Sequence, residues 1–475
     1  MADFIATFWP WLSSAVLFLV DVVVTGHVVL HKRDNRAALG WVGLIWFVPF
    51  GGAVLYVLFG INRIRRKARR MRRRTGDEPV RMPLPDSNQH EIASLGTLSQ
   101  LIGAVTTRPL TTGNLIRPLT SGSHAYTEML DAIASARQTI GLSAYIFDND
   151  KTGHIFVEAL AAAVRRGVAV RVLVDSIGMR YSFPSINRHL RKANVTAARF
   201  MPSLLPWRFA YAQLRNHRKL LIVDGRVGFT GGMNIRDGHD ARTNPRHPII
   251  DCHFRVEGPV VGDMRAVFAD DWQFATGETL AGPTWFPDLE PAGQSLARGI
   301  ASGPDDHFES LRMTHLGAIA CARSSATIVT PYFVPDTDMI SALGIAALRG
   351  VRVEIVVPER NNLLLVQWAM MSQLGTLLQN GCHIRLSPPP FDHTKLMIVD
   401  DAWCLFGSAN WDARSLRLNF EFDVECYDPG LIRELQPILD QKIGSSRLLS
   451  YEEWNRRSLL VQLRDGIARL ASPYL

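Results

Sequence analysis

The sequence predicts an α/β protein built as two halves related by a pseudo-two-fold axis and preceded by an apolar helical hairpin. Three observations predict it. Two long apolar stretches occupy the first 62 of the 475 residues. From about residue 113, strand-like and helix-like segments alternate. One unusual polar pattern occurs twice within that alternation, first from His217 and again from His393.

The hairpin comes first in the chain. Residues 37–61 read "AALGWVGLIWFVPFGGAVLYVLFGI", 25 residues without a charge, and a membrane-crossing helix needs about 20. Pro49 and the glycines are tolerable there if neighbours satisfy the freed backbone groups. Residues 4–30 are also apolar but carry Asp21 and His27. A carboxylate near mid-bilayer costs about 2.5–3.5 kcal/mol, which the surrounding Leu, Val and Phe offset. A signal peptide would begin with a basic region, whereas the early charge here is Asp3. The segment after the second stretch, "RIRRKARRMRRR" (63–74), holds nine cations, and the connector 31–36 holds three Lys/Arg. The positive-inside rule puts the larger cluster in the cytoplasm. This predicts a multi-pass protein of the bacterial inner membrane whose remaining chain faces the cytoplasm, with the basic strip on an anionic membrane surface.

Charge and cysteine content exclude some classes. Subtracting the nine cations of the strip from the formal +8 leaves −1. The basicity is local, so a nucleic-acid-binding surface is not expected. Five cysteines without a CxxC pair suggest reduced thiols, not a disulfide framework or a zinc site.

The expected organisation is a membrane hairpin (1–62), a basic strip and linker (63–112), a first half (113–282), a second linker (283–300) and a second half with a C-terminal helix (301–475). "TIGLSAYIF" (139–147) reads as a buried strand, "GHIFVEALAAAVRRG" (153–167) as a helix with a glycine stop, and "VAVRVLVD" (168–175) as another strand. The second half repeats them as "ATIVTPYFVP", "MISALGIAALRG" and "VRVEIVVP". Internal duplication accounts for both series.

The repeated pattern carries the chemistry. "NHRKLLIVDGRVGFTGGMN" (216–234) and "DHTKLMIVDDAWCLFGSAN" (392–410) share His-x-Lys, an apolar run, Asp, a glycine turn and Asn. In a strand His217 and Lys219 project to one side, as do His393 and Lys395. Asp224 and Asp400 fall at turns, too far along to share that face, and are read as structural. Asn234 and Asn410 return at the end of each hairpin. Brought together, two imidazoles, two ammonium groups and two amides would surround a phosphoryl group: the cations and amides on its charge-bearing oxygens, one imidazole attacking phosphorus, the other protonating the leaving oxygen. A single His-x-Lys is usually a surface strand. Six specified positions, however, match by chance on the order of once in 10⁷ windows, and here they match twice.

These paired motifs are those of the phospholipase D superfamily, and the chain resembles its bacterial cardiolipin synthases. The resemblance runs through "PFGGAVLYVLFG", "RNHRKLLIVDGRVGFTGGMNI", "TPYFVPD", "AALRGV" and "GSANWDARSLRLNFE". It departs at "VVPERNNLLLV", where the family more often has an acidic residue near Asn362. The resemblance implies two phospholipase D-like halves with the active site at their interface, His217 as nucleophile and His393 as general acid and then base. It also implies an acidic residue downstream of each motif that binds the histidine of that motif: Asp251 for His217 and Glu421 for His393. The implied reaction is phosphatidyl transfer through a phosphohistidine, giving cardiolipin and glycerol from two phosphatidylglycerols, with phosphatidylethanolamine an alternative acceptor. No cofactor and no metal ion are expected, and a homodimer is left open. A hydrolytic phospholipase D would use the same residues with water as acceptor. A nuclease fits the neutral charge poorly, and a binding-only scaffold has no use for two complete motifs.

Other features have plainer readings. Cys252 and His253 lack a partner pair and read as core. The apolar helix 363–378 and the stretch 203–214 read as buried, with lining of an acyl-chain entrance as the alternative. The tail "EWNRRSLLVQLRDGIARLASPYL" reads as an amphipathic helix docked on the core or on a second copy in preference to a membrane.

Overall fold

The computed structural model describes residues 2–32, 35–60, 95–106, 108–201, 214–304 and 309–472. The basic strip 63–74 and residues 203–213 lie outside them. The chain divides into two compact units, residues 1–75 with 203–213 and residues 76–202 with 214–475.

In the first unit a helix spans Ala2–His31, and its segment Trp11–His31 is long and apolar enough to cross a membrane. The expected second span is not one continuous helix. A helix Asn35–Phe47 ends before Pro49, a short helix Gly51–Leu55 follows, and Tyr56–Gly60 form a π turn. Pro49 has no N–H to donate and its ring crowds the preceding turn; Phe50 then takes φ of 63°. Gly52 lets the two pieces approach, since a Cβ there would sit 2.3 Å from Leu44 O. Asp21 is buried, and His27 Nδ1 bonds the Tyr56 hydroxyl at 2.9 Å, tying the long helix to the π turn.

In the second unit the duplication is built around one 15-stranded sheet. Its centre is the antiparallel pair Thr111–Leu119 and Ser295–Ser302. Outward on one side follow His253–Glu257, Val227–Gly231, Leu220–Val223, Thr139–Ala144, Ala169–Asp175 and Ala197–Phe200. Outward on the other follow Glu421–Tyr427, Trp403–Gly407, Leu396–Val399, Ser325–Val329, Arg352–Pro358 and His383–Ser387, with Arg447–Leu449 added at the edge. The two orders correspond strand for strand. Helices cover both faces, so the inner strands read as unbroken apolar runs such as "LLIV" and "LMIV", all buried.

Local sequence sets the crossover helices. Asp150 caps Lys151–Arg165 by accepting from Gly153 N, and the chain turns at Gly167, φ 89°. Asp336 caps Thr337–Leu348 through Met339 N, and the turn comes at Gly350, φ 92°. Each helix returns the chain to a parallel strand, Thr139–Ala144 to Ala169–Asp175 in one half and Ser325–Val329 to Arg352–Pro358 in the other.

The stretches read as linkers are partly built into this frame. Gly96–Thr106 is a helix whose Leu98 and Ile102 join the core of the second half. The strand Ser295–Ser302 starts inside 283–300. At the seam, the fully buried Arg298 pairs with Glu425 and also donates to Ser99 O, so the helix 96–106 is fastened to the central strands.

Candidate active site

The motif hairpins run antiparallel to the strands Thr139–Ala144 and Ser325–Val329, pairing Leu220 with Ser143 and Leu396 with Val329. His217 and Lys219, and His393 and Lys395, therefore lie just ahead of their strands, beyond the carboxyl ends of the parallel strands. That is the position where open α/β sheets bind ligands. Both histidines and both asparagines, Asn234 and Asn410, line one cavity of about 260 Å³. Lys219 and Lys395 are buried beside them, each donating from Nζ to the carbonyl of its own motif histidine, at 2.6 and 2.7 Å.

Asp224 and Asp400 are remote from the cavity. Each sits at a turn with positive φ and accepts from three successive backbone N–H groups at the start of the neighbouring strand: 137–139 for Asp224 and 323–325 for Asp400. They fasten one hairpin to one strand, identically in both halves.

The carboxylates are exchanged between the halves. His217 Nδ1 bonds both oxygens of Glu421 at 3.0 Å, and His393 Nδ1 bonds Asp251 at 2.9 Å. The expectation that each acid serves the histidine of its own motif is therefore corrected. The cause lies in the backbone. His217 N donates to Phe420 O and His393 N to Ile250 O, so each histidine lies against the residue immediately before the other half's acid. Arg218 strengthens the first junction, donating to Glu421 O and pairing with buried Asp271.

Burial dominates the electrostatics. It pushes both imidazoles well below their usual pKa, and the neighbouring lysines push the same way. Burial lowers Lys219 to about 7 and Lys395 to about 8, despite the acids nearby. It raises Asp251 to about 6 and Glu421 to about 7. Every group thus leans toward its neutral form, and a bound phosphate would reverse that for the lysines and imidazoles.

Several wall residues escaped the sequence reading. Tyr145 packs edge-on to His217 at 4.9 Å and Tyr332 to His393 at 6.0 Å. The signal was present, an aromatic after the strands Thr139–Ala144 and Ser325–Val329 in "AYIF" and "PYFV". Arg215, Arg236 and Arg414 also line the cavity. His239 lies 6.0 Å from the His393 ring, with both ring nitrogens buried and unbonded. With Asp251 and His393 it brings three potential ligand atoms within 4.8 Å of one another. Spacing in the sequence could not reveal this trio, because its members come from three separate segments. Lys395 Nζ, 3.1 Å from His393 Nδ1, sets a competing cation beside it. Cys252 and His253 are buried in the first half and take no part in it.

Comparison with known proteins agrees with this geometry. A family profile described as "Cardiolipin synthase, PLD-like domain" matches residues 129–243 and 316–443, and one described as "Phospholipase_D-nuclease N-terminal" matches 15–60. The major cardiolipin synthase of Bacillus subtilis is 32% identical over 97% of this chain and 98% of its own length. A cardiolipin synthase of Geobacillus kaustophilus is 29% identical over 98% of this chain and 93% of its own. Among solved structures, phosphatidylserine synthase of Haemophilus influenzae aligns with a TM-score of 0.64 at 15% identity, over 80% of this chain and all of that one, which is a likeness of fold.

Proposed function

The chain belongs to the cardiolipin synthase family of phospholipase D-like proteins, and from that premise we propose that it makes cardiolipin from two phosphatidylglycerols through a phosphatidyl-histidine. The observation that carries this reading is the single cavity holding both imidazoles, each clamped at Nδ1 by an acid of the other half. Clamping at Nδ1 leaves Nε2 of each ring for the reaction and stabilises the imidazolium when it forms.

His217 Nε2 attacks phosphorus while His393 donates its proton to the departing glycerol oxygen, so that one P–O bond breaks as the P–N bond forms. The hydroxyl of a second phosphatidylglycerol then enters, gives its proton to His393 and attacks phosphorus, freeing His217. Lys219, Lys395, Asn234 and Asn410 hold the non-bridging oxygens, where charge concentrates in the transition state. Asp251 and Glu421 orient the rings. The lowered pKa of the two histidines supplies a neutral nucleophile, and the phosphate charge supports protonation of the other ring on binding.

Four further features belong to this reading. The chain associates with membranes through its N-terminal apolar helix. Both apolar segments cross the bilayer, with the basic strip and the catalytic unit on the cytoplasmic side. The strip meets anionic lipid there. The catalytic unit comprises a first half of about 113–282 and a second of about 301–475.

Product analysis tests the function. Purified protein in pure phosphatidylglycerol bilayers should yield cardiolipin and glycerol in equal amounts, with phosphatidic acid a minor product. Phosphatidic acid as the main product would make the protein a hydrolase. A cysteine probe in 31–36 should be labelled from outside intact cells and one at the C-terminus should not; equal labelling of both would overturn the topology.

A further inference from the structure

The C-terminal helix Leu459–Leu470 docks by one face only. Asp465 and Ala468 are buried, Ala468 in the core of the second half, and Arg457 and Arg464 hold Asp465 at 2.6 and 2.8 Å. The opposite face carries Leu459, Leu460, Leu463, Ile467 and Leu470, each 59–79% exposed. Their spacing of three and four residues sets them along one stripe. Single exposed leucines are ordinary, but five large ones aligned on a docked helix are not. Arg456, Arg464 and Arg469 are exposed beside the stripe.

The stripe leads toward the active-site cavity. Arg457 donates to Met371 O, and Arg464 stacks over Trp368 at 4.7 Å. Contacts therefore step backward along the helix Leu364–Gln379 as the C-terminal helix advances, so the two run antiparallel. At about 1.5 Å per residue, the end of the C-terminal helix draws level with the start of the other. There Leu363, Leu364 and Leu365 are 49–64% exposed, and Leu363 also lines the cavity. An apolar stripe edged with arginines thus ends level with the exposed leucines at the mouth of the site.

We infer that the stripe of the C-terminal helix and Leu363–Leu365 together dock on an anionic phospholipid membrane and deliver lipid head groups into the cavity. The occupant follows from the surroundings. A helix with an apolar face, flanking arginines and little net hydrophobicity lies in the membrane interface, and its cations favour anionic lipid. A second copy of the chain would offer the same arginines to this surface, like charge against like. The inference rests on the reading above only in that the substrate is a membrane phospholipid.

The test uses the full-length protein carrying Leu463→Glu with Ile467→Glu, assayed on two substrates. In vesicles with dilute phosphatidylglycerol the rate should fall about tenfold or more, because two side chains that docking would bury in the lipid become charged. On short-chain phosphatidylglycerol dissolved as monomers it should stay within about twofold of the parent, since no interface is involved. An unchanged vesicle rate overturns the inference. If both rates fall together, a bimane label on Leu463→Cys in otherwise native protein decides: quenching by lipids brominated on the acyl chains upholds docking, and its absence overturns it. A label shielded from the lipid in a protein that light scattering shows to be dimeric would assign the surface to a second copy and also overturn the inference. Should the parent make no cardiolipin from either substrate, the proposed reaction fails, while the quenching still reports docking independently.

Discussion

The two halves of the catalytic unit share strand order, capped crossover helices, an aspartate fastening each hairpin and a His-x-Lys ahead of the strand. They differ in what surrounds the histidines. His217 has Tyr145 of its own half edge-on to the ring, while from the other half Arg414 acts on its charge and Asn419 bonds the Glu421 that holds it. His393 has three rings beside it, Tyr332 and Phe391 of its own half and His239 of the other. A duplicated frame thus supplies two equivalent imidazoles, and their surroundings are where the two halves differ. The exchanged carboxylates add a second lesson: neither half holds a complete His–acid pair, so neither can act alone.

The largest effect expected is from the histidines. His217→Ala and His393→Ala should each lose about 10⁴-fold in rate or more while remaining folded. A donor whose leaving group is p-nitrophenolate separates them, since it departs without a proton. With it His393→Ala should still release a burst and retain phosphatidyl on His217, and His217→Ala should not. An adduct on residue 393 would exchange the two roles.

Next come the acids, which break or sharpen the exchange directly. Glu421→Gln and Asp251→Asn should each cost about 10²–10⁴-fold, through a misoriented ring and an unsupported imidazolium. With the same donor, Asp251→Asn should keep the burst and Glu421→Gln should lose it, because Glu421 serves His217. The reverse result would restore pairing within each half.

The lysines give a smaller, pH-dependent effect. Both have pKa values lowered by burial, Lys219 to about 7 and Lys395 to about 8. A lowered lysine loses its charge as pH rises through that range, so kcat/KM should fall above about pH 7–8. Bound phosphate stabilises both ammonium groups, so the same limb in kcat should lie at higher pH. Identical basic limbs in the two profiles would count against the lysines as phosphate ligands.

The two turn aspartates should give equal and modest effects on stability. Asp224→Asn and Asp400→Asn each weaken bonds to three backbone N–H groups, at a cost of about 1–3 kcal/mol. Denaturant titration should show matched losses with the turnover of the folded protein unchanged; a selective loss of activity in one of them would make that aspartate part of the site. Least of all, exhaustive chelation should alter the rate less than about twofold, since lysines and amides already meet the phosphate charge. An absolute requirement for a divalent ion would instead direct attention to His239, Asp251 and His393.

Much of this was legible in the chain. Binary pattern and glycine stops are local, and the repeated phrases made the duplication visible, whereas the caps Asp150 and Asp336 came only with the structure. The motif residues were legible because the chemistry needs particular side chains at fixed short spacing. The continuity of the second apolar segment was not, because hydropathy counts Pro49 as one residue among 25 while the backbone loses a donor there.

What the sequence by itself determined was the pair of phosphoryl-handling sets, His217, Lys219 and Asn234 with His393, Lys395 and Asn410, each carried on a short segment of chain. Which acid faces which imidazole, which arginines enter the cavity, and which face of the last helix stays bare were decided by the tertiary structure. Those contacts join residues up to about 200 positions apart, Glu421 with His217 among them. Nothing in local spacing encodes them. They follow from the two halves of the sheet joining at Thr111–Leu119 and Ser295–Ser302, which brings each motif loop against the segment preceding the other half's acid.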